Sequence, residues 1–198
     1  MASAKSPRRS WAFRLIRNTL LWLVAVAPAW ALAAPAYNRF LLVSAENLVH
    51  LAESPDVTDL FRNGPHFAYI GRRDFPPARA LVNSFRVTDV HFHLILLIPL
   101  FLAVPDVPWR RRMENLGWAL LIAVFFEIFL VFFYVKATYA AGLGAWSLGH
   151  YGPFARNFWG LGRHLLDLPF KLGLPFLLWA GFYFEDLMAG LRPTGRSA

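Results

Sequence analysis

The feature that most limits what this chain can become is the run Gly117–Val135, GWALLIAVFFEIFLVFFYV, with Glu127 as its sole charge. A helix needs about 20 apolar residues to cross the ~30 Å hydrocarbon layer of a bilayer, and this run is that long. Arg110, Arg111 and Arg112 stand just before it. Basic residues flanking an apolar span stay on the cytoplasmic side. We expect a membrane helix from about Glu114 to Tyr134, entered from the cytoplasm.

The N-terminus repeats the pattern. Lys5, Arg8, Arg9, Arg14 and Arg17 precede an apolar run from about Asn18 to Ala34, with no acid among them. This region, 1–34, reads as a basic flank and a first transmembrane helix. Ala31-Leu32-Ala33 also resembles a small-x-small cleavage site, which leaves a signal peptide as the competing reading. We expect an uncleaved anchor. Ala25, Ala29 and Ala33 recur every fourth residue, a smooth stripe where another helix can approach closely.

Only 16% of the residues are charged and 57% are hydrophobic, far from the ~25% charge of a soluble domain. The net charge of +8 suggests nucleic acid at first sight. The basic residues instead flank apolar runs, where they orient helices, and we exclude nucleic acid as a partner. The chain has no cysteine, so thiolate catalysis, disulfides and thiolate metal sites are all excluded.

Residues 35–89 differ in character, with six Arg against six Asp or Glu from Arg39 to Asp89. We expect a short amphipathic helix over Phe40–Ala52, then strands at Val57–Arg62, His66–Gly71 and Ala80–Val87, with Asn63-Gly64 as a hairpin turn. Together they form an extracytoplasmic α/β element. The remainder, 90–198, holds a second helix at about Val90–Val104 with Pro99 inside it, a cytoplasmic loop at 105–113, the third helix, an outer glycine- and aromatic-rich loop at 136–167, and a fourth helix at about Leu168–Leu187. Lys171 is expected to snorkel outward. The expected fold is a membrane α-helical bundle of four transmembrane helices with a small β-containing insertion between the first two. Both termini would be cytoplasmic.

Glu127 is the sharpest candidate site. A carboxylate at mid-membrane costs about 2.5–3.5 kcal/mol on insertion scales, so it must be paired, hydrated or protonated. It either fastens the bundle or handles a proton or ion. His91 and His93 form an HxH pair, but residues two apart on a helix point in divergent directions. They are weak metal candidates, and we expect no bound metal or cofactor. Glu185 and Asp186 are placed to pair with the Arg110–Arg112 loop. No nucleophile elbow, zinc-protease motif, phosphate loop or dinucleotide fingerprint occurs. Ser147 and His150 are a chance neighbourhood.

The stretch Val82–Tyr134, above all HFHLILLIPLFLAVP with Ile98-Pro99-Leu100-Phe101-Leu102-Ala103, resembles the exosortase H-associated membrane proteins. That resemblance implies an accessory role beside a bacterial membrane sorting enzyme, and it transfers no functional residue. The leading expectation is therefore a non-enzymatic accessory or scaffold protein of the bacterial inner membrane, with the lipid bilayer and another membrane protein as partners. The alternatives are a proton- or ion-coupled transport subunit using Glu127, and a membrane enzyme drawing on His91, His93, His150 or His164.

Overall fold

The structure, a computed structural model, describes residues 7–191, with side chains described for 11–188. Lys5, Arg192 and Arg196, and the side chains of Arg8 and Arg9, lie outside the described residues. Three helices are long and apolar enough to cross a membrane, Trp11–Leu51, Trp109–Ala141 and Pro153–Phe182, and a three-stranded sheet accompanies them.

Helix α1 (Pro7–Leu51) is a single 45-residue element. It does not end at Ala34 and restart, as the sequence suggested, but continues through Pro28 and Pro35. A proline removes one backbone donor, which a membrane helix tolerates when packing holds the rest. Here the packing comes from beyond the prolines. Asn38, Leu41, Leu42, Ala45 and Val49 share one face at 0–3% exposure and cover the sheet.

The sheet consists of β1 (Thr58–Asn63), β2 (Phe67–Arg72) and β3 (Leu81–Arg86), antiparallel and in sequence order. These strands lie within a residue or so of the expected ones. The β1–β2 loop runs through Gly64–His66, where Gly64 has φ +67°, a conformation glycine adopts without steric cost. Leu60, Ala68, Ile70 and Phe85 bury one face of the sheet against α1 and the long helix Trp109–Ala141.

The expected second span keeps about its expected length, but it begins earlier and is broken by a tight turn. Helices α2 (Val87–His91) and α3 (Leu94–Leu102) meet at Phe92-His93, where Ile95 and Leu96 donate to carbonyls three residues back. The whole apolar segment Val87–Leu102 is about 24 Å long, less than the hydrocarbon layer. Leu94, Leu97, Phe101 and Leu102 are 0–6% exposed, so the segment faces protein rather than lipid.

Helix α4 (Trp109–Ala141) overruns its expected ends on both sides. Beyond it, the expected outer loop is mostly helical: α5 (Ala145–His150) and α6 (Pro153–Leu165) lead through a π-helical turn, Leu166–Phe170, into α7 (Lys171–Phe182) and α8 (Phe184–Leu191). Of the glycines that suggested a loop, Gly162 is the one used for close packing against another helix. A Cβ on Gly162 would overlap the Phe133 ring of α4. Lys171 does not snorkel. It is 6% exposed, ion-paired with Asp167 one turn earlier, and its ammonium lies over the Phe92 ring.

Contacts fix the relative directions. Trp22 stacks on Trp109, and Tyr37 meets Glu127, so α1 and α4 run parallel. Asn18 donates to the Ala103 carbonyl and Trp30 meets His91, so α2–α3 runs back between them. Arg163 lies over Tyr134 and Asp186 pairs with Arg111, so α6–α8 also runs back. One end of the bundle therefore gathers Arg14, Asp106, Arg111 and Asp186, and the other carries the sheet.

The three loop arginines divide their work at the first end. Arg110 pairs with Glu114, Arg111 with Asp186, and Arg112 donates to the Leu102 and Val107 carbonyls. Asp106, at φ +63°, accepts from both terminal guanidinium nitrogens of Arg14. A short polar side chain is among the few that accept that backbone state.

Candidate functional site

The bundle has two apolar clusters, one under the sheet and one around Phe101 and Tyr183. Tyr37 packs against both, and the candidate site lies at their junction.

Helix α4 delivers Glu127 to the interior at 0% exposure, while Phe125 and Phe129 point outward. From α1, Tyr37 donates a hydrogen bond of 2.5 Å to Glu127 Oε2. From the α2–α3 turn, His93 brings Nε2 to 3.4 Å from Glu127 Oε1. His93 is 2% exposed, and neither of its ring nitrogens, nor Glu127 Oε1, has a hydrogen-bond partner. Carboxyl and imidazole thus face each other across a long contact with room for one shared proton. A carboxylic acid beside neutral imidazole and a carboxylate beside imidazolium both sum to zero charge. The proton can sit on either group without a change in the net charge of the buried pair, and an uncompensated charge there would be costly.

His91 turns the opposite way, toward α1. Trp30 Nε1–H donates to His91 Nδ1 at 3.2 Å, and His91 Nε2 lies 2.6 Å from Asn38 Oδ1. Indole nitrogen can only donate, so Nδ1 is the acceptor and Nε2 carries the proton. Asn38 Nδ2 then donates to the Pro65 carbonyl at 2.9 Å. The relay runs in one direction, Trp30 to His91 to Asn38 to the β1–β2 loop, and it assigns His91 a neutral tautomer.

The two histidines of the HxH pair therefore serve different helices and do not converge on a shared metal. The remaining histidines are dispersed as well. His150 stacks on Trp146 at 4.2 Å and His164 is exposed on α6. Ser147 donates to the Tyr139 carbonyl and is not paired with His150, whose Nδ1 meets the Trp146 carbonyl. Among the described residues, the one group with metal-like spacing is Glu46, His50 and Asp59, at the sheet end. Ala25, Ala29 and Ala33 lie on the exposed side of α1.

Sequence reading singled out Glu127, His91 and His93 but missed Tyr37, Asn38 and Trp30. A usable signal existed. Tyr37 and Asn38 are polar groups at the end of an apolar run, and a lone acid in one membrane helix needs donors from another. No family model, curated protein or solved structure matches this chain.

Proposed function

We propose that this membrane protein is a non-enzymatic accessory or scaffold subunit of a bacterial envelope protein-sorting or assembly complex. It would lie in the inner membrane with its arginine end and both termini in the cytoplasm. The observation that carries this reading is the bare flank of α1. None of the residues in its most apolar 18-residue window is buried, against 33% in α4. Ala25, Ala29 and Ala33 run along that flank, where a neighbouring helix can come close. A sorting enzyme of the kind suggested by the resemblance over Val82–Tyr134 is the partner we favour.

The short segment Val87–Leu102 serves as a fourth crossing. A helix wrapped by other helices has its backbone satisfied internally and does not need to match the lipid thickness. Purification in mild detergent from native membranes, at native expression, tests the partner. Co-recovery of one membrane protein at fixed ratio supports the reading, and recovery as a lone monomer refutes it. Because the chain lacks cysteine, Asn63→Cys and Asp106→Cys give a clean topology assay. Impermeant maleimide should label the first from outside the cell and not the second.

The His93–Glu127 contact favours a second reading, a proton-coupled transport subunit. In that case Glu127→Gln abolishes activity of the complex while expression and assembly survive. Unchanged activity in Glu127→Gln removes it.

A further inference from the structure

A second charged cluster, remote from Glu127, lines a cavity of about 440 Å³ at the sheet end. Glu53, Arg72, Asp74, Lys136, Trp146 and Tyr151 are among its walls. Arg72 is held rigidly. It donates to both oxygens of Asp74 at 2.9 and 2.6 Å, and its guanidinium lies 4.7 Å from the Tyr139 ring centre and 4.6 Å from that of Trp146.

Lys136 is not held in this way. It retains 9% exposure, and its nearest carboxylate oxygen, Glu53 Oε1, is 3.8 Å away, outside hydrogen-bond range. Glu53 is already engaged, with Oε1 accepting from Thr58 Oγ1 at 2.7 Å and Oε2 from the Thr58 amide at 3.2 Å. A buried ammonium has three donors to satisfy, and buried polar groups are rarely left without partners. These donors open on the cavity.

Position and charge narrow the occupant. Lys136 lies 25 residues beyond Arg111 on α4, about 37 Å along the axis. With Arg111 at one membrane face, that distance passes the ~30 Å hydrocarbon layer and stops within the opposite headgroup layer. Two cations and two carboxylates line the walls. A simple anion would meet Glu53 and Asp74 as well as Lys136, whereas a group carrying both signs is matched throughout. We propose that the cavity binds a phosphate–ammonium zwitterion of the phosphoethanolamine type, with phosphate on Lys136 and ammonium toward Glu53 and Asp74. The inference rests on the membrane reading above.

The test titrates dihexanoyl phosphatidylethanolamine, its phosphatidylglycerol counterpart and free phosphoethanolamine into the full-length chain in maltoside micelles, by calorimetry. Saturable binding of phosphatidylethanolamine is expected, with phosphatidylglycerol about tenfold weaker, a difference of about 1.4 kcal/mol. Lys136→Met should lose about tenfold or more, and Lys136→Arg should recover part of it. Binding of the lipid alone identifies a membrane lipid as the source. Binding of phosphoethanolamine as well shows that the free zwitterion suffices. Equal affinity for the two lipids, no saturable heat beyond partition into empty micelles, or a folded Lys136→Met with unchanged affinity overturns the proposal. The lipid comparison needs no variant, so it stands even where Lys136→Met does not fold. Carbonate extraction separates the two levels of failure. Release from membranes refutes the membrane reading, and retention without headgroup binding refutes only the site.

Discussion

Tyr37 Oη and Glu127 Oε2 lie 2.5 Å apart across 90 residues of sequence, the one hydrogen bond that joins α1 to the carboxyl group at the centre of α4. Removing the hydroxyl leaves a fully buried carboxyl with no donor. Tyr37→Phe should cost about 1–3 kcal/mol of unfolding free energy. Denaturation in mixed micelles reads this directly. In a double-mutant cycle with Glu127→Gln, a coupling of at least about 0.5 kcal/mol is expected.

The His93–Glu127 contact separates fastening from proton handling. Losing His93 alone, by His93→Leu, removes the polar partner that Glu127 faces and should destabilise the bundle. Replacing both, by His93→Leu with Glu127→Leu, should cost less than the two single losses summed, because the two facing polar groups leave the interior together and only the Tyr37 hydroxyl is left without its acceptor. If the double variant also keeps the complex active, the pair is a fastener. If activity is lost from a stable double variant, the proton reading gains.

The Trp30–His91–Asn38 relay ends on the Pro65 carbonyl and ties the hairpin to α1. Asn38→Leu fills similar volume but strands His91 Nε2–H and that carbonyl. The expected loss is about 1–3 kcal/mol. It should appear locally, as faster hydrogen exchange in β1 and β2 with little change in the arginine end of the bundle.

Acid should loosen the sheet end through Asp74. The two hydrogen bonds from Arg72 hold its carboxyl below the usual carboxylate range. A group depressed by folding stabilises above its unfolded pKa of about 3.9, and that contribution disappears as pH falls through the folded value. Melting temperature should therefore drop on the acid side, and Asp74→Asn should flatten that drop while lowering the neutral plateau slightly. The carboxylate is 42% exposed, so high salt should blunt the effect.

Gly162 lies where α6 crosses Phe133, a ring itself fixed against Phe158 and Trp159. Gly162→Ala should cost about 1–3 kcal/mol by overpacking, despite the better helix propensity of alanine. Gly160→Ala, two residues away in open space, should be neutral or mildly stabilising and serves as the control.

Much of this architecture is written locally. Hydropathy and flanking arginines mark the long apolar helices, because transfer to lipid depends on a residue and its near neighbours. Alternation and Asn63-Gly64 mark the three strands for the same reason. The Asp186–Arg111 pair was readable from charge at matching helix ends. The limits of α1, the break at Phe92-His93 and the full helical length of 153–165 were not. Each depends on what packs against the segment: a sheet that carries α1 past Pro35, a bundle that shields α2–α3 from lipid, a phenyl ring that makes use of Gly162. Glu127 stood out in the sequence as a carboxyl in need of a partner. Its partners, Tyr37 and His93, were settled only by the rotation of α1 and the tight turn at Phe92-His93, which bring together groups 90 and 34 residues apart.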